Sequence, residues 1–183
     1  MNLPNILTLS RIVMIPVFVV AYYLPVEWNY YACALLFWIA AVTDWFDGYL
    51  ARKWDQSTPF GAFLDPVADK LMVAISLAVI IENFQSGWVT APAMIIIGRE
   101  IVVSGLREWM AEQGKRDNVK VGMVGKIKTF CQMSCIFFLL VGAQQEWSYI
   151  LGIFLIYIAA GLTLWSMVQY LIASWSHLFA SEE

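Results

Sequence analysis

From Trp147 to Trp175 the chain carries no Asp, Glu, Lys or Arg. Nothing else in the sequence restricts the possible folds as sharply. A helix needs about 20 mostly apolar residues to cross roughly 30 Å of hydrocarbon, and this run suffices even for a tilted span. Backbone inside lipid must satisfy its own hydrogen bonds, so a single apolar run of this kind is a helix. Five more stretches of comparable length precede it, at about 10–25, 30–53, 60–82, 88–112 and 121–142. Breaks fall near Pro25, Ser57-Thr58-Pro59, Ser86-Gly87, Gly114 to Asn118 and Gln144-Gln145. The pattern predicts an all-α integral membrane protein with six transmembrane helices and a short juxtamembrane segment before the first. Composition agrees: 61% of the 183 residues are hydrophobic and 14% charged, with a mean hydropathy of +0.68. Soluble domains average about 25% charged residues. Short connections leave room for one domain over 1–183, with antiparallel neighbours. A net charge of −3 gives no ground for a nucleic-acid partner.

Charge asymmetry orients the helices. If both termini lie on one side, that side receives Arg11, Arg52, Lys53, Lys70, Arg107, Lys115, Arg116, Lys120, Lys126 and Lys128. The opposite connections, around Glu27, Glu82 and Glu146, contain no Lys or Arg. The positive-inside rule then places both termini in the cytoplasm. Trp28, Trp88 and Trp147 open helices at the far interface, where aromatic residues anchor. The opening N-L-P-N-I-L-T-L-S-R has no small-residue cleavage site after its first apolar run, so that segment is expected to remain as an anchor. Cys33, Cys131 and Cys135 lie in apolar stretches. Two thiols at i, i+4 without histidine make a poor metal site, so all three read as packing residues.

Against this background, four carboxylates inside the second and third apolar stretches are costly. An ionised side chain at the bilayer centre costs at least about 2.5–3.5 kcal/mol, which makes intramembrane acids functional candidates. Asp47 lies nine residues before Gln56 and Asp65 nine after it; Asp44 lies twelve before and Asp69 thirteen after. With a helical rise of about 1.5 Å per residue, the pairs reach matching depths on two antiparallel helices. Asp44 and Asp47 share a face at i, i+3, and Gly61, Asp65 and Asp69 form an i+4 ladder. Gly48, Ala51 and Gly61 keep those faces uncrowded. All-oxygen ligands suit Mg²⁺ or Mn²⁺, and four acids match a pair of ions about 3.5–4 Å apart that clamps a phosphoryl transfer. A structural ion pair or a proton relay would use fewer acids.

The pattern Asp44-x2-Asp47-Gly48-x2-Ala51-Arg52-x8-Gly61-x3-Asp65-x3-Asp69 resembles, without a departure, the signature of the CDP-alcohol phosphatidyltransferases. The resemblance covers the whole chain. It implies six transmembrane helices, a homodimer, and displacement of CMP from a CDP-linked lipid by an alcohol. It further implies that Asp44, Asp47, Asp65 and Asp69 hold two Mg²⁺ or Mn²⁺ ions and that Asp69 accepts the proton. Gly48, Arg52, Thr58 and the stretch Asn5 to Thr8 match positions that bind CDP-diacylglycerol, beside the small Ala51 and Gly61.

The acceptor must be read from the remaining buried charges. Arg99 and Arg107 lie eight residues apart on one helical face, and Lys126 and Lys128 begin the fifth helix on the same side. Such a cluster suits an anionic second substrate, since the arginine fork matches phosphate geometry. Pairing of Arg99 with Glu100 or Glu108 is the competing reading. The blocks N-L-P-N-I-L-T-L-S-R, A-V-T-D-W-F-D-G, A-F-L-D-P-V-A-D-K, G-R-E-I-V-V-S-G-L-R-E-W and V-G-K-I-K-T are similar to bacterial members of the family that use glycerol 3-phosphate. That likeness implies phosphate recognition by Arg99, Arg107, Lys126 and Lys128, in the bacterial cytoplasmic membrane with the site facing the cytoplasm. Serine or inositol phosphate acceptors are the alternatives within the family. A cation or proton transporter is the alternative outside it, but its inverted repeats and broken helices are missing from the sequence. The single His177 lies far along the chain from the acids, which argues against a histidine base.

Overall fold

The computed structural model describes residues 3–54, 59–112 and 123–178, and all of its regular structure is helical. Six helices follow one another: α1 (Leu3–Tyr23), α2 (Asn29–Trp54), α3 (Pro59–Phe84), α4 (Gly87–Glu112), α5 (Met123–Gly142) and α6 (Glu146–Leu178). Among the described residues, three segments are long and apolar enough to cross a membrane: Ile6–Tyr23, Gly87–Met110 and Glu146–Ile172. A shorter apolar helix runs over Ile127–Gly142. The second and third helices carry the aspartates, and their apolarity is diluted accordingly.

The bundle has apolar side chains on its outside as well as inside. Val13, Val17, Val20, Ile101, Val102, Phe130, Phe154 and Ile172 are all exposed, as are Trp28, Trp88 and Trp147 at the predicted aromatic interface. A water-soluble protein would leave a patch of this extent as a binding or aggregation surface; a lipid environment accounts for all of it.

Each helix packs through one stripe at three- and four-residue spacing. On α1 the stripe is Thr8, Arg11, Ile15, Phe18 and Ala21. On α4 it is Val89, Ala93, Ile96, Arg99 and Val103, and on α5 Lys128, Cys131, Gln132, Cys135, Ile136 and Leu139. On α6 it runs through Ser148, Ile156, Ala159, Thr163 and Ser166. All three cysteines are free and buried, as packing residues should be. The stripes are apolar towards one end of the bundle and polar towards the end where α2 gives way to α3 and α4 to α5. That gradient positions the site.

The closest helix contact is the α5–α6 hairpin. A Cβ on Gly152 would stand 2.8 Å from the Leu139 side chain, and one on Gly142 2.7 Å from the Tyr149 backbone. Small residues let membrane helices approach to this distance. At the neighbouring α3–α4 turn, Gln85 takes a positive φ of 45°, and Ser86 O then accepts from Thr90 N at 2.8 Å as α4 begins.

Two features differ from the sequence-based expectation. The described part of the first helix starts at Leu3 and runs without a break, so the Asn5-to-Thr8 stretch is continuous with the apolar span that follows it. Polar residues are tolerated there because acids on other helices neutralise them. Second, α2 and α3 touch each other sparingly among the described residues, and α1 packs far more extensively on both. Among the described residues the two acid-bearing helices therefore share more packing with α1 than with each other.

Candidate active site

Thr8 and Arg11 lie three residues apart on the buried stripe of α1, and both point at the acids. Arg11 donates through Nη1 to Asp44 Oδ1 on α2 and, at 3.3 Å, through Nη2 to Asp65 Oδ1 on α3. Thr8 Oγ1 donates to the same Asp65 oxygen at 2.5 Å. The side chain of Arg11 is 3% exposed, whereas those of Asp44 and Asp65 are 41% and 43% exposed. One guanidinium thus ties two half-open carboxylates from inside the bundle. Each acid is held through Oδ1 and keeps its outer side accessible. The two terminal nitrogens serve different carboxylates, so the guanidinium acts as a bridge between two acids and not as a bidentate clamp on one.

Asp69 stands one turn beyond Asp65 on α3, near enough to Asp44, Arg11, Glu100 and Lys128 for their charges to act on it. It therefore joins the acidic group to a second, basic one. In that group Glu100 Oε1 accepts from Lys128 Nζ and, at 3.4 Å, from Arg99 Nη1. Arg99 Nη2 donates to Ser166 Oγ on α6, and its guanidinium carbon stands 6.0 Å from the Tyr170 ring centroid, at the edge of cation–π range. Ser76 Oγ, Gln132 Oε1, Thr163 Oγ1 and Arg99 Nε are buried with no hydrogen-bond partner among the described residues. Buried polar atoms normally find partners, and these suit an interior that takes up water or a polar ligand.

The sequence-predicted residues are therefore distributed as follows. Asp44, Asp65 and Asp69 gather at one end of the bundle, and Arg99 and Lys128 meet through Glu100. Gly61 is buried on α3. Asp47, Gly48, Ala51 and Arg52 lie on α2, Asn5 on α1, Arg107 on α4 and Lys126 on α5; the side chains of these residues, and Thr58 altogether, fall outside the described set. Thr8, expected at the lipid nucleotide, donates to Asp65 in the structure. Arg11 was grouped by sequence with the basic residues at helix ends. The signal that could have found it is simple: it is the only charged residue of α1, and a lone charge buried in an apolar helix requires a counter-ion.

Does this set suit divalent metal? No group of three or more acidic, cysteine or histidine side chains stands at metal-holding distance among the described residues, and Asp47 is not among the described side chains. Asp44 and Asp65 nevertheless converge on one cation, the Arg11 guanidinium, with carboxylate oxygens and partial access from outside. That is an all-oxygen donor set of the kind hard divalent ions take, and it fits.

Comparison with known proteins agrees with this reading of the residues. The model for the CDP-alcohol phosphatidyltransferase family matches residues 1–173. A protein of Shigella flexneri serotype 5b (strain 8401) is 56% identical over 173 residues, covering 94% of each chain; it is a CDP-diacylglycerol–glycerol-3-phosphate 3-phosphatidyltransferase. An Escherichia coli (strain K12) protein of the same name shares the same identity and coverage. With the aspartate pattern, the helical bundle and this match in hand, the chain belongs to the CDP-alcohol phosphatidyltransferase family.

Proposed function

We propose that the protein transfers the phosphatidyl group of CDP-diacylglycerol to sn-glycerol 3-phosphate, giving phosphatidylglycerol phosphate and CMP. The observation that carries this reading is 56% identity over 94% of the chain to enzymes named for that reaction. In this reading all six helices cross a bacterial cytoplasmic membrane. The 26 residues of α2 and of α3 give each a length of about 39 Å, enough to span despite their acids. Both termini and the polar end face the cytoplasm, because the basic residues gather there. The enzyme works as a homodimer, as the family resemblance implies.

Asp44, Asp47, Asp65 and Asp69 would hold two Mg²⁺ or Mn²⁺ ions. When bound, such ions neutralise the diphosphate and the charge that develops on the departing CMP. Arg11 and Thr8 hold the metal-binding acids from behind. Arg52, Asn5 and Thr58 contact the lipid nucleotide, and Gly48, Ala51 and Gly61 leave it space. Arg99, Arg107, Lys126 and Lys128 receive the phosphate of the acceptor. Asp69, between the acidic and basic groups, takes the proton from the primary hydroxyl of glycerol 3-phosphate. The hydroxyl oxygen bonds to the lipid-side phosphorus as the bond from that phosphorus to CMP breaks. Holding two substrates in line supplies much of the rate.

The test is direct. Purified protein is given labelled CDP-diacylglycerol, Mg²⁺ and each alcohol in turn. Product with glycerol 3-phosphate is expected; transfer only to serine or to inositol phosphate would replace the acceptor named here.

A further inference from the structure

Glu100 has no role in the chemistry above, yet it lies at the centre of the basic group. A single oxygen, Oε1, accepts from Lys128 on α5 and from Arg99 on α4. The cations are almost fully buried, with side chains 7% and 9% exposed, while Glu100 is 21% exposed. Two buried like charges repel strongly where the dielectric is low. Lysine in addition has a flexible stem that tends to carry its ammonium towards water. An anion between them removes the repulsion and fixes the lysine. It leaves other donors available: Lys128 has two further N–H groups, and Arg99 Nε is buried without a partner among the described residues.

We propose that Glu100 is a positioning residue for the acceptor substrate: by bridging Arg99 and Lys128 it fixes the pair of donors that meets the acceptor's phosphate beside Asp69. This rests on the glycerol 3-phosphate reading given above. Ser166, holding Arg99 from α6, supports the same pair from the other side. A competing view, that Glu100 occupies the phosphate's place and must be expelled, predicts the opposite response to its removal.

The experiment measures both Michaelis constants of purified Glu100→Gln in detergent micelles with CDP-diacylglycerol and Mg²⁺. The KM for glycerol 3-phosphate should rise about 10-fold or more, the scale of one lost charge-assisted contact. The KM for CDP-diacylglycerol should stay within about twofold, a split that general loosening of the bundle would not produce. Glu100→Asp keeps the charge with a shorter reach and should recover part of the loss. Because Glu100 acts largely through Lys128, the double variant E100Q/K128M should cost clearly less than the product of the two single effects. A glycerol 3-phosphate KM that is unchanged or lower, equal shifts for both substrates, or a fully multiplicative double variant would overturn the proposal. If E100Q does not accumulate in membranes, E100D decides: a raised KM for glycerol 3-phosphate alone is expected, and a wild-type value overturns. Wild-type protein that ignores glycerol 3-phosphate would instead remove the acceptor assignment, an outcome separable from all of these.

Discussion

The two charged groups at the polar end of the bundle are built alike with their signs reversed. In one, a buried arginine joins two aspartates, Asp44 and Asp65, from α2 and α3. In the other, a glutamate joins two buried cations, Arg99 and Lys128, from α4 and α5. The difference lies in what is exposed. Around Arg11 the central ion is buried and the flanking acids are half open; around Glu100 the flanking cations are buried and the central ion is the more accessible. The acidic group therefore keeps its outer oxygens accessible, as the proposed metal site would require. The basic group keeps its donors inside, as the proposed pocket for the acceptor's phosphate would require. Charged residues in a membrane protein must be paired to be kept at all, and here each pairing leaves the functional side of the group available.

The strongest way to break this comparison is at the acids. Asp65→Asn removes the charge proposed to bind metal and weakens the acceptor of Arg11 and Thr8, since the amide oxygen still accepts but carries no charge, without changing side-chain volume. We expect activity to fall about 1000-fold or more, since metal stabilisation of the transition state amounts to several kcal/mol and each 1.36 kcal/mol is a factor of ten. Expression and helical content should remain normal. Near-normal turnover at saturating Mg²⁺ would remove the two-metal reading, as would full activity in excess chelator.

The proposed acceptor pocket is tested next, at two of its residues whose side chains lie outside the described set. Arg107→Ala or Lys126→Ala should raise the KM for glycerol 3-phosphate by about 10- to 150-fold, the equivalent of roughly 1.5–3 kcal/mol for a charge-assisted contact. The KM for CDP-diacylglycerol should move much less. Arg107→Lys should also be impaired, because an ammonium does not reproduce the fork. Equal effects on both substrates would take these residues out of the acceptor pocket.

The sequence made some of this legible and hid the rest for definite reasons. Fixed spacing revealed the acid ladder, because the helical period alone puts Asp47 level with Asp65 and Asp44 level with Asp69. Hydropathy revealed the helices, and their breaks fall where the connections do. Neither could show that, among the described residues, α2 and α3 share more packing with α1 than with each other, because that depends on which stripes pack together, not on period. Arg11 was overlooked because proximity to a terminus makes a basic residue look like an orientation signal. Glu100 was legible only as one of two possible partners for Arg99; its bridge to Lys128 spans two helices that are joined through residues 113–122. The six-span expectation met a related obstacle. The polar residues of α2 and α3 also lower their apolarity, and among the described residues three segments stand out by composition.

Arg11→Met tests the acidic group from its buried side. The thioether fills similar space and carries no charge, which leaves Asp44 and Asp65 to repel each other. In metal-free detergent solution its Tm should fall below that of the wild type by several degrees, on the scale of about 4–8 °C per kcal/mol for small domains and less for larger ones. Excess Mg²⁺ should narrow the gap, because a cation then replaces the missing guanidinium. A Tm deficit that is the same in chelator and in Mg²⁺ would mean that Arg11 packs but does not neutralise.

The smallest effect separates two accounts of one residue. Thr8 matches a family position at the lipid nucleotide, whereas in the structure its hydroxyl donates to Asp65 at 2.5 Å and its side chain is buried in α1. Thr8→Val keeps the shape and deletes the hydroxyl. Asp65 is 43% exposed, so water replaces part of what is lost and the cost falls below that of a fully buried contact. A change of about threefold in the Mg²⁺ concentration for half-maximal activity is expected, with the KM for CDP-diacylglycerol unchanged once Mg²⁺ saturates. Thr8→Ser, which retains the hydroxyl, should behave as the wild type. If instead the CDP-diacylglycerol KM rises at saturating Mg²⁺ while the metal dependence stays put, Thr8 touches the nucleotide lipid directly. Its contact with Asp65 would then belong to the protein without substrate.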